Sequence, residues 1–389
     1  MPFIANLALL SAAILLSLGL GEVALRAFTP FPIHGGEANR VFDPDLGYRL
    51  SSRLAEIDSD GFRNSSGGGA WTVAAIGDSH TYGYHVTADQ AWPKALGRLI
   101  DRDVYNFGMG SYGIFTYHAL LRRAIDQRFD AVIVGLYYPN DFFPSSSHCS
   151  IDFSSPFWVQ ARQELALDPP KCDAPYVEPD LLIWAKDNVA TLSAMDYFLW
   201  DHIRTAIWHV LPASYRNEKE FCLSAQANMC IEKERVAFHA KATDLGDPRI
   251  ASMLDNFRLM MGDAASRARE AGVKLGILMI PSRERIVYEW RLRENVLQEE
   301  GEFEAKVRRQ VVFEDVLKQQ FRALEVPVES ALDELVAAFD EAMAAGDVFF
   351  KPYGGHPFEP GYRAYTRAAA ALASQMMDVE QPERAAKRR

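Results

Sequence analysis

The sequence predicts an α/β protein, with a mainly parallel, doubly wound sheet between two helical layers. An apolar N-terminal helix precedes it, and a helical, cysteine-containing insertion interrupts it. Three observations predict this. Short apolar runs alternate with helical stretches, which is the pattern of βαβ units. Several of those runs stop abruptly at Gly, Asn or Pro, as strands do when they enter a loop at the sheet edge. One long block, residues 143–249, breaks the alternation and holds all four cysteines of the chain.

The elements follow in order. Phe3 to Leu20 carries no charged residue. As a helix it would span roughly 27 Å, close to the hydrocarbon thickness of a bilayer. Residues 1–28 therefore read as an uncleaved transmembrane signal anchor. A cleaved signal peptide is weakened by the lack of Lys or Arg before the apolar run, and a core helix would be unusual in so uniformly apolar a terminus. Residues 29–70 read as a connector rich in loop chemistry, such as Ser65-Ser66-Gly67-Gly68-Gly69. Within it, Asp43-Pro44-Asp45-Leu46-Gly47-Tyr48-Arg49 and Asp60-Gly61-Phe62-Arg63-Asn64 are candidates for a small hairpin or lid.

The body spans 71–378. Its expected strands are Trp71 to Ile76, Val104 to Phe107, Ala131 to Leu136, Lys274 to Ile280 and Val326 to Val328. Its expected helices are Ala91 to Ile100, with Pro93 in the first turn where a missing N–H is harmless, Thr116 to Gln127, Ile250 to Ala271 and Gly361 to Met377. The insertion 143–249 includes an aromatic-rich helical stretch, Leu181 to Leu211, whose spacing is that of core packing or of a cap beside the site. Residues 379–389 form a basic tail.

Composition narrows the function. The chain has 389 residues, is 49% hydrophobic and carries a formal net charge of -11. This is a folded globular protein, and a nucleic-acid-binding body is excluded, because no basic stripe with interleaved aromatics appears. Cys149, Cys172, Cys222 and Cys230 cluster in the insertion. An even number in polar sequence suggests two disulfides in an oxidising compartment. The local pairing is Cys149–Cys172 with Cys222–Cys230, and two other pairings satisfy the count. With the anchor, this places the body outside the cytoplasm, periplasmic and tethered to the inner membrane.

Four segments carry chemistry, three of them directly after apolar runs. Gly77-Asp78-Ser79 ends the first, and Gly83 follows it. Gly permits a sharp turn that exposes Ser79 as a candidate nucleophile. Asn106-Phe107-Gly108 offers a backbone N–H at Gly108, and Tyr137-Tyr138-Pro139-Asn140-Asp141 offers the Asn140 amide. Gly354-Gly355-His356-Pro357 offers an imidazole as base. Singly, each is an ordinary turn or a lone histidine. Together they supply what an activated hydroxyl needs: a base in reach and donors for an oxyanion.

In this order the four segments resemble the blocks of the SGNH (GDSL-type) hydrolase superfamily, over roughly Trp71 to Met377 without the insertion. The upstream Asp-x-Gly-Tyr-Arg and Asp-Gly-Phe-Arg-Asn pieces, with the anchor, are similar to those of its membrane-anchored bacterial members. The resemblance implies a three-layer, flavodoxin-like fold. It also implies Ser79 as nucleophile, His356 as base, and an oxyanion hole from the Ser79 N–H, the Gly108 N–H and the Asn140 side chain. No metal or cofactor is implied. There is one departure: the family usually places an Asp two or three residues before the His, where this chain has Gly354 and Tyr353. A third member orients the imidazole and stabilises its charged form; Asp347 and Asp141 are the candidate substitutes, and without them a Ser-His dyad remains.

Metal chemistry through His80, His85, Asp78 or Asp141 finds no ligand motif. Dinucleotide binding lacks an acidic partner about 20 residues beyond the glycines at 108, 110 and 113. The expected activity is that of a serine esterase on acyl, especially acetyl, esters of an envelope or exported polysaccharide. An O-acyltransferase using a sugar hydroxyl, a lipid esterase, and a non-catalytic glycan-binding envelope protein are the alternatives. Thiol counting under denaturing conditions, on chain recovered from an oxidising compartment, should give no reactive thiol; four would contradict export.

Overall fold

The computed structural model describes residues 40–52, 54, 56–64, 71–143, 148–169, 220–223, 230–296, 301–350 and 355–377, with seven helical positions between 13 and 23. Most of the expected anchor, the Leu181 to Leu211 stretch, Cys172, Tyr353 and Gly354 lie outside these. Among the described residues no helix is long and apolar enough to cross a membrane.

The chain begins its described body with an antiparallel hairpin, β1 (Arg40–Asp43) and β2 (Gly47–Leu50). Then come β3 (Val73–Gly77), the single turn α1 (Ser79–Tyr82), α2 (Trp92–Ile100), β4 (Val104–Asn106), α3 (Ile114–Asp126) and β5 (Ala131–Leu136). The insertion contributes α4 (Pro156–Leu165), a short hairpin of β6 (Glu220–Cys222) and β7 (Cys230–Glu232), and α5 (Lys233–Ala242). The alternation resumes with α6 (Pro248–Ala271), β8 (Lys274–Met279), α7 (Arg283–Arg293), α8 (Glu302–Ala323), β9 (Val328–Ser330), α9 (Leu332–Ala345) and α10 (Glu359–Met376).

Five of the strands form one sheet in the order β4-β3-β5-β8-β9, with every pairing parallel. Renumbered within the sheet this is 2-1-3-4-5, the doubly wound order, in which the chain reverses direction across the sheet after its second strand. Such sheets bind ligands beyond the carboxyl ends of the strands, at the reversal between the first and third. Here that is the gap between β3 and β5.

Strand alternation builds the two cores. Ala74 and Ile76, Val132, Val134 and Leu136, and Leu275, Ile277 and Met279 face one core, shared with α3, α4 and α6. Val73 and Ala75, Ala131 and Ile133, and Leu278 and Ile280 face the other, shared with α2, α7, α9 and α10. Because both faces are covered, the strands read as continuous apolar runs, and β3 and β5 are buried at every residue. This is the three-layer α/β/α arrangement.

The structure departs from the expectations in three places. The last strand begins at Val328 and ends at Ser330, two residues later than the apolar trio suggests, because Met279 pairs with Ser330. Helices α7, α8 and α9 carry no expectation from the sequence pattern. In α7 the reason is physical: Arg283, Glu284 and Arg285 are buried beside Ile286 and Val287, so no polar face opposes an apolar one.

The connector is also more than a tether. Its hairpin buries Leu46, Tyr48 and Leu50, and Phe62 is fully enclosed. The Tyr48 hydroxyl donates to Gly110 O. The insertion is fastened to the same hairpin: Trp158 Nε1 donates to Asp45 O at 2.8 Å and the Ser155 hydroxyl to Asp45 Oδ1 at 2.7 Å. Cys149 and Cys230 each take part in a disulfide. The register sets Cys222 across from Cys230 in the β6–β7 hairpin.

Candidate active site

The site is built on the turn that leaves β3. Asp78 caps the following helical turn: its Oδ1 accepts from His80 N at 2.9 Å, the bond that an N-cap side chain is suited to make. Ser79 is the first residue of α1, so its amide has no acceptor within the helix. The turn ends after four residues at Gly83, whose φ of 90° is left-handed and open to Gly at little strain. A Cβ at Gly83 would also lie 2.5 Å from Ala91 Cβ.

Arg63, buried to 5% exposure, holds the far end of this turn. Its guanidinium donates to Gly83 O at 2.7 Å, Val86 O at 3.0 Å and Tyr82 O at 3.3 Å. Its Nε donates to Glu56 Oε2 at 2.8 Å, and its planar group lies 4.9 Å from the Tyr82 ring centroid. Charge-assisted bonds of this kind are worth about 1.5–3 kcal/mol each. Next to it, Asn64 accepts from Asn106 N at 2.8 Å and donates to Asn106 O at 3.2 Å, fixing the end of β4. The Asp-Gly-Phe-Arg-Asn piece is thus a clamp on the turn and on β4.

Ser79 and His356, 277 residues apart in sequence, meet here: His356 Nε2 lies 2.7 Å from Ser79 Oγ. Ser79 is 9% exposed, and His356 is half-buried. The serine oxygen has a second polar neighbour, Asp78 Oδ2, at 3.2 Å. The hydroxyl has a single proton. The shorter contact is to the imidazole, which is the arrangement a general base needs.

The His356 ring is bounded by aromatic groups. His80 stacks on it at 4.3 Å between centroids and 29° between planes. Tyr84 stands 5.4 Å away and His85 5.7 Å away. Asp347 is exposed in the turn after α9, where its backbone N–H caps that helix through Ala342 O. Asp141 is 1% exposed, and its Oδ2 accepts from the Tyr117 hydroxyl at 2.9 Å. Burial first, and then the nearby Asp78 charge, push the Asp141 carboxyl well above the usual range.

Of the expected oxyanion donors, Gly108 is already engaged. Its N–H donates to Asn106 Oδ1 at 2.8 Å. Its lack of a side chain has a separate cause: a Cβ there would lie 2.4 Å from Tyr82 N, so Gly108 lets the end of β4 and the Ser79 turn touch. Asn140 follows β5, half-buried, with its backbone in the turn from Tyr137 to Phe143. Its side-chain amide makes no hydrogen bond among the described residues. The sequence pattern pointed to the four blocks; the Arg63 clamp, the engaged Gly108 amide and the His80 stack appear only in three dimensions.

No family model and no curated protein matches this chain. Among solved structures it is similar to a protein from Desulfitobacterium hafniense described as lipolytic and of the G-D-S-L family. That match is 11% identical at a TM-score of 0.34, over 77% of this chain and 98% of the other. It is similar also to a member of the lipolytic G-D-S-L family from Veillonella parvula, 11% identical at a TM-score of 0.33, over 79% of this chain and 99% of the other. At these values the likeness carries no weight for this chain's chemistry, and its own residues must supply the case.

Asp141 gives a test of the site's electrostatics. Its native carboxyl holds its proton to higher pH than the unfolded chain, whose ordinary value is near 3.8. Between that value and its raised native one the unfolded state binds fewer protons, so stability falls as pH rises. Asp141→Asn removes this slope. Urea unfolding should show the variant gaining stability over the parent on going from pH 4 to pH 8; an unchanged difference would contradict the assignment.

Proposed function

We propose that this chain is a serine hydrolase of the SGNH type, acting on carboxylic esters. The observation that carries the reading is the 2.7 Å contact between Ser79 Oγ and His356 Nε2 at the carboxyl ends of the central strands. Ser79 Oγ attacks the acyl carbon while its proton passes to Nε2, and the carbonyl electron pair moves onto oxygen. The resulting oxyanion takes hydrogen bonds from the Ser79 N–H and the Asn140 amide. The Gly108 N–H joins only if Asn106 Oδ1 releases it. Collapse expels the alcohol, which takes the proton from His356. Water then attacks the acyl-enzyme with His356 as base again, restoring the serine.

Acetyl esters on an envelope or exported polysaccharide are the substrate class we favour. The support is the resemblance of the four blocks and upstream pieces to tethered bacterial hydrolases, with the uncharged run from Phe3 to Leu20. Export is supported further by Cys149 and Cys230 being disulfide-bonded. The Cys149–Cys172 and Cys222–Cys230 pairing belongs to the same proposal. A purely glycan-binding role gives no reason for a base to meet a hydroxyl at hydrogen-bonding distance.

The full chain in detergent, assayed on p-nitrophenyl acetate, should turn over. Ser79→Ala and His356→Ala should each lose about 10³-fold or more in kcat with little further loss when combined, as members of one unit do. Rates equal to the parent in Ser79→Ala would overturn the reading.

A further inference from the structure

The place before His356 where an acid is expected holds none, yet the ring has a well-built neighbour on its face. His80 is 2% exposed. It is sandwiched between His356 on one side and Tyr137 on the other, the latter at 3.9 Å and 24°. Tyr365 meets it edge-on at 6.1 Å. Its Nδ1 lies 3.2 Å from Asp78 Oδ2 and its backbone N–H donates to Asp78 Oδ1 at 2.9 Å. Its Nε2 is buried with no partner among the described residues. Beside the two Asp78 oxygens, Nδ1 is the ring nitrogen placed to donate. The ring is thus tied to the Asp78 carboxylate at its edge and lays its π face on His356.

From this stack we infer that His80, held and polarised by Asp78, is a positioning residue for His356. It fixes the plane of the imidazole from its face and favours the imidazolium that forms when Ser79 gives up its proton, a task usually given to an acid on the ring edge. The inference rests on the proposed esterase reading and deepens it. Other groups also face His356 or its stack. Tyr84, Tyr137 and Tyr365 stay neutral, because burial raises each hydroxyl. His85 stands at 5.7 Å from the ring. The Arg235 guanidinium reaches the backbone of Gly355, where a Cβ would sit 3.3 Å from it. Asp78 is the acidic group among them, and it contacts both Ser79 Oγ and His80.

The test uses the full chain. His80→Phe keeps an aromatic face against His356 and removes the link to Asp78; Asp78→Asn keeps His80 and removes the charge. In both, kcat on p-nitrophenyl acetate should fall about tenfold or more with KM within about twofold. The acid limb of the pH profile should move down by about one unit, the equivalent of a tenfold weaker hold on the proton. The same downward shift should appear in an NMR titration of the His356 ring in a Ser79→Ala background. That measurement needs no turnover, so it separates failure of this inference from failure of the esterase reading. If His80→Phe does not fold, Asp78→Asn carries the test. An acid limb and ring titration unmoved in the folded variants would make His80 mere packing and overturn the inference.

Discussion

The hydroxyl of Ser79 has one proton and two acceptors in reach, and the rest of the site follows from which one receives it. Asp78 Oδ2 stands at 3.2 Å and His356 Nε2 at 2.7 Å. Three features favour the imidazole. The carboxylate is already occupied, because Oδ1 caps His80 N and both oxygens lie near His80 Nδ1. The turn cannot drift, because Arg63 holds the carbonyls of Tyr82 and Gly83 and Gly108 lets β4 pack against its backbone. The imidazole cannot swing freely, because its face rests on His80.

These parts come together because β3 lies between β4 and β5 in the sheet. The two loops beside the β3 turn are therefore the ones carrying Gly108 and Asn140. His356 arrives from the end of the chain, just ahead of α10. That helix packs its Tyr362, Tyr365, Ala369 and Leu372 into the core on the α2 side of the sheet. Burial of α10 is thus what brings His356 to Ser79. Each large apolar side chain so enclosed contributes roughly 1.5–3 kcal/mol.

Much of this was legible in the sequence, for identifiable reasons. Strands buried on both faces leave unbroken apolar runs, so β3, β5 and β8 were found within a residue or two. The chemical blocks sit at strand ends, where glycines and Asn interrupt those runs. Other features leave no local mark. Arg63 looks like any charged loop residue until the fold buries it against Gly83 O. Helix α7 hides its charges inside and so shows no amphipathic face. The engagement of Gly108 by Asn106, the upward push on the Asp141 carboxyl and the stacking of His80 on His356 depend on distances between loops that no spacing rule encodes.

Asp78 acts on His356 through the His80 ring, an effect expected at about tenfold, the equivalent of one pKa unit. Loss of orientation and charge support from a triad acid typically costs about 10⁴-fold. On the proposed reading, support through Asp78 and His80 is thus weaker than that from a direct acid. The central claim is that Ser79 is activated by His356. Intact-mass analysis after exposure to a fluorophosphonate measures it most directly. In that reaction Oγ bonds to phosphorus, fluoride leaves, and the serine proton passes to the imidazole. One adduct per chain, mapped to Ser79 and lost in His356→Ala, is the predicted result. An unlabelled parent chain, or equal labelling without His356, would contradict it.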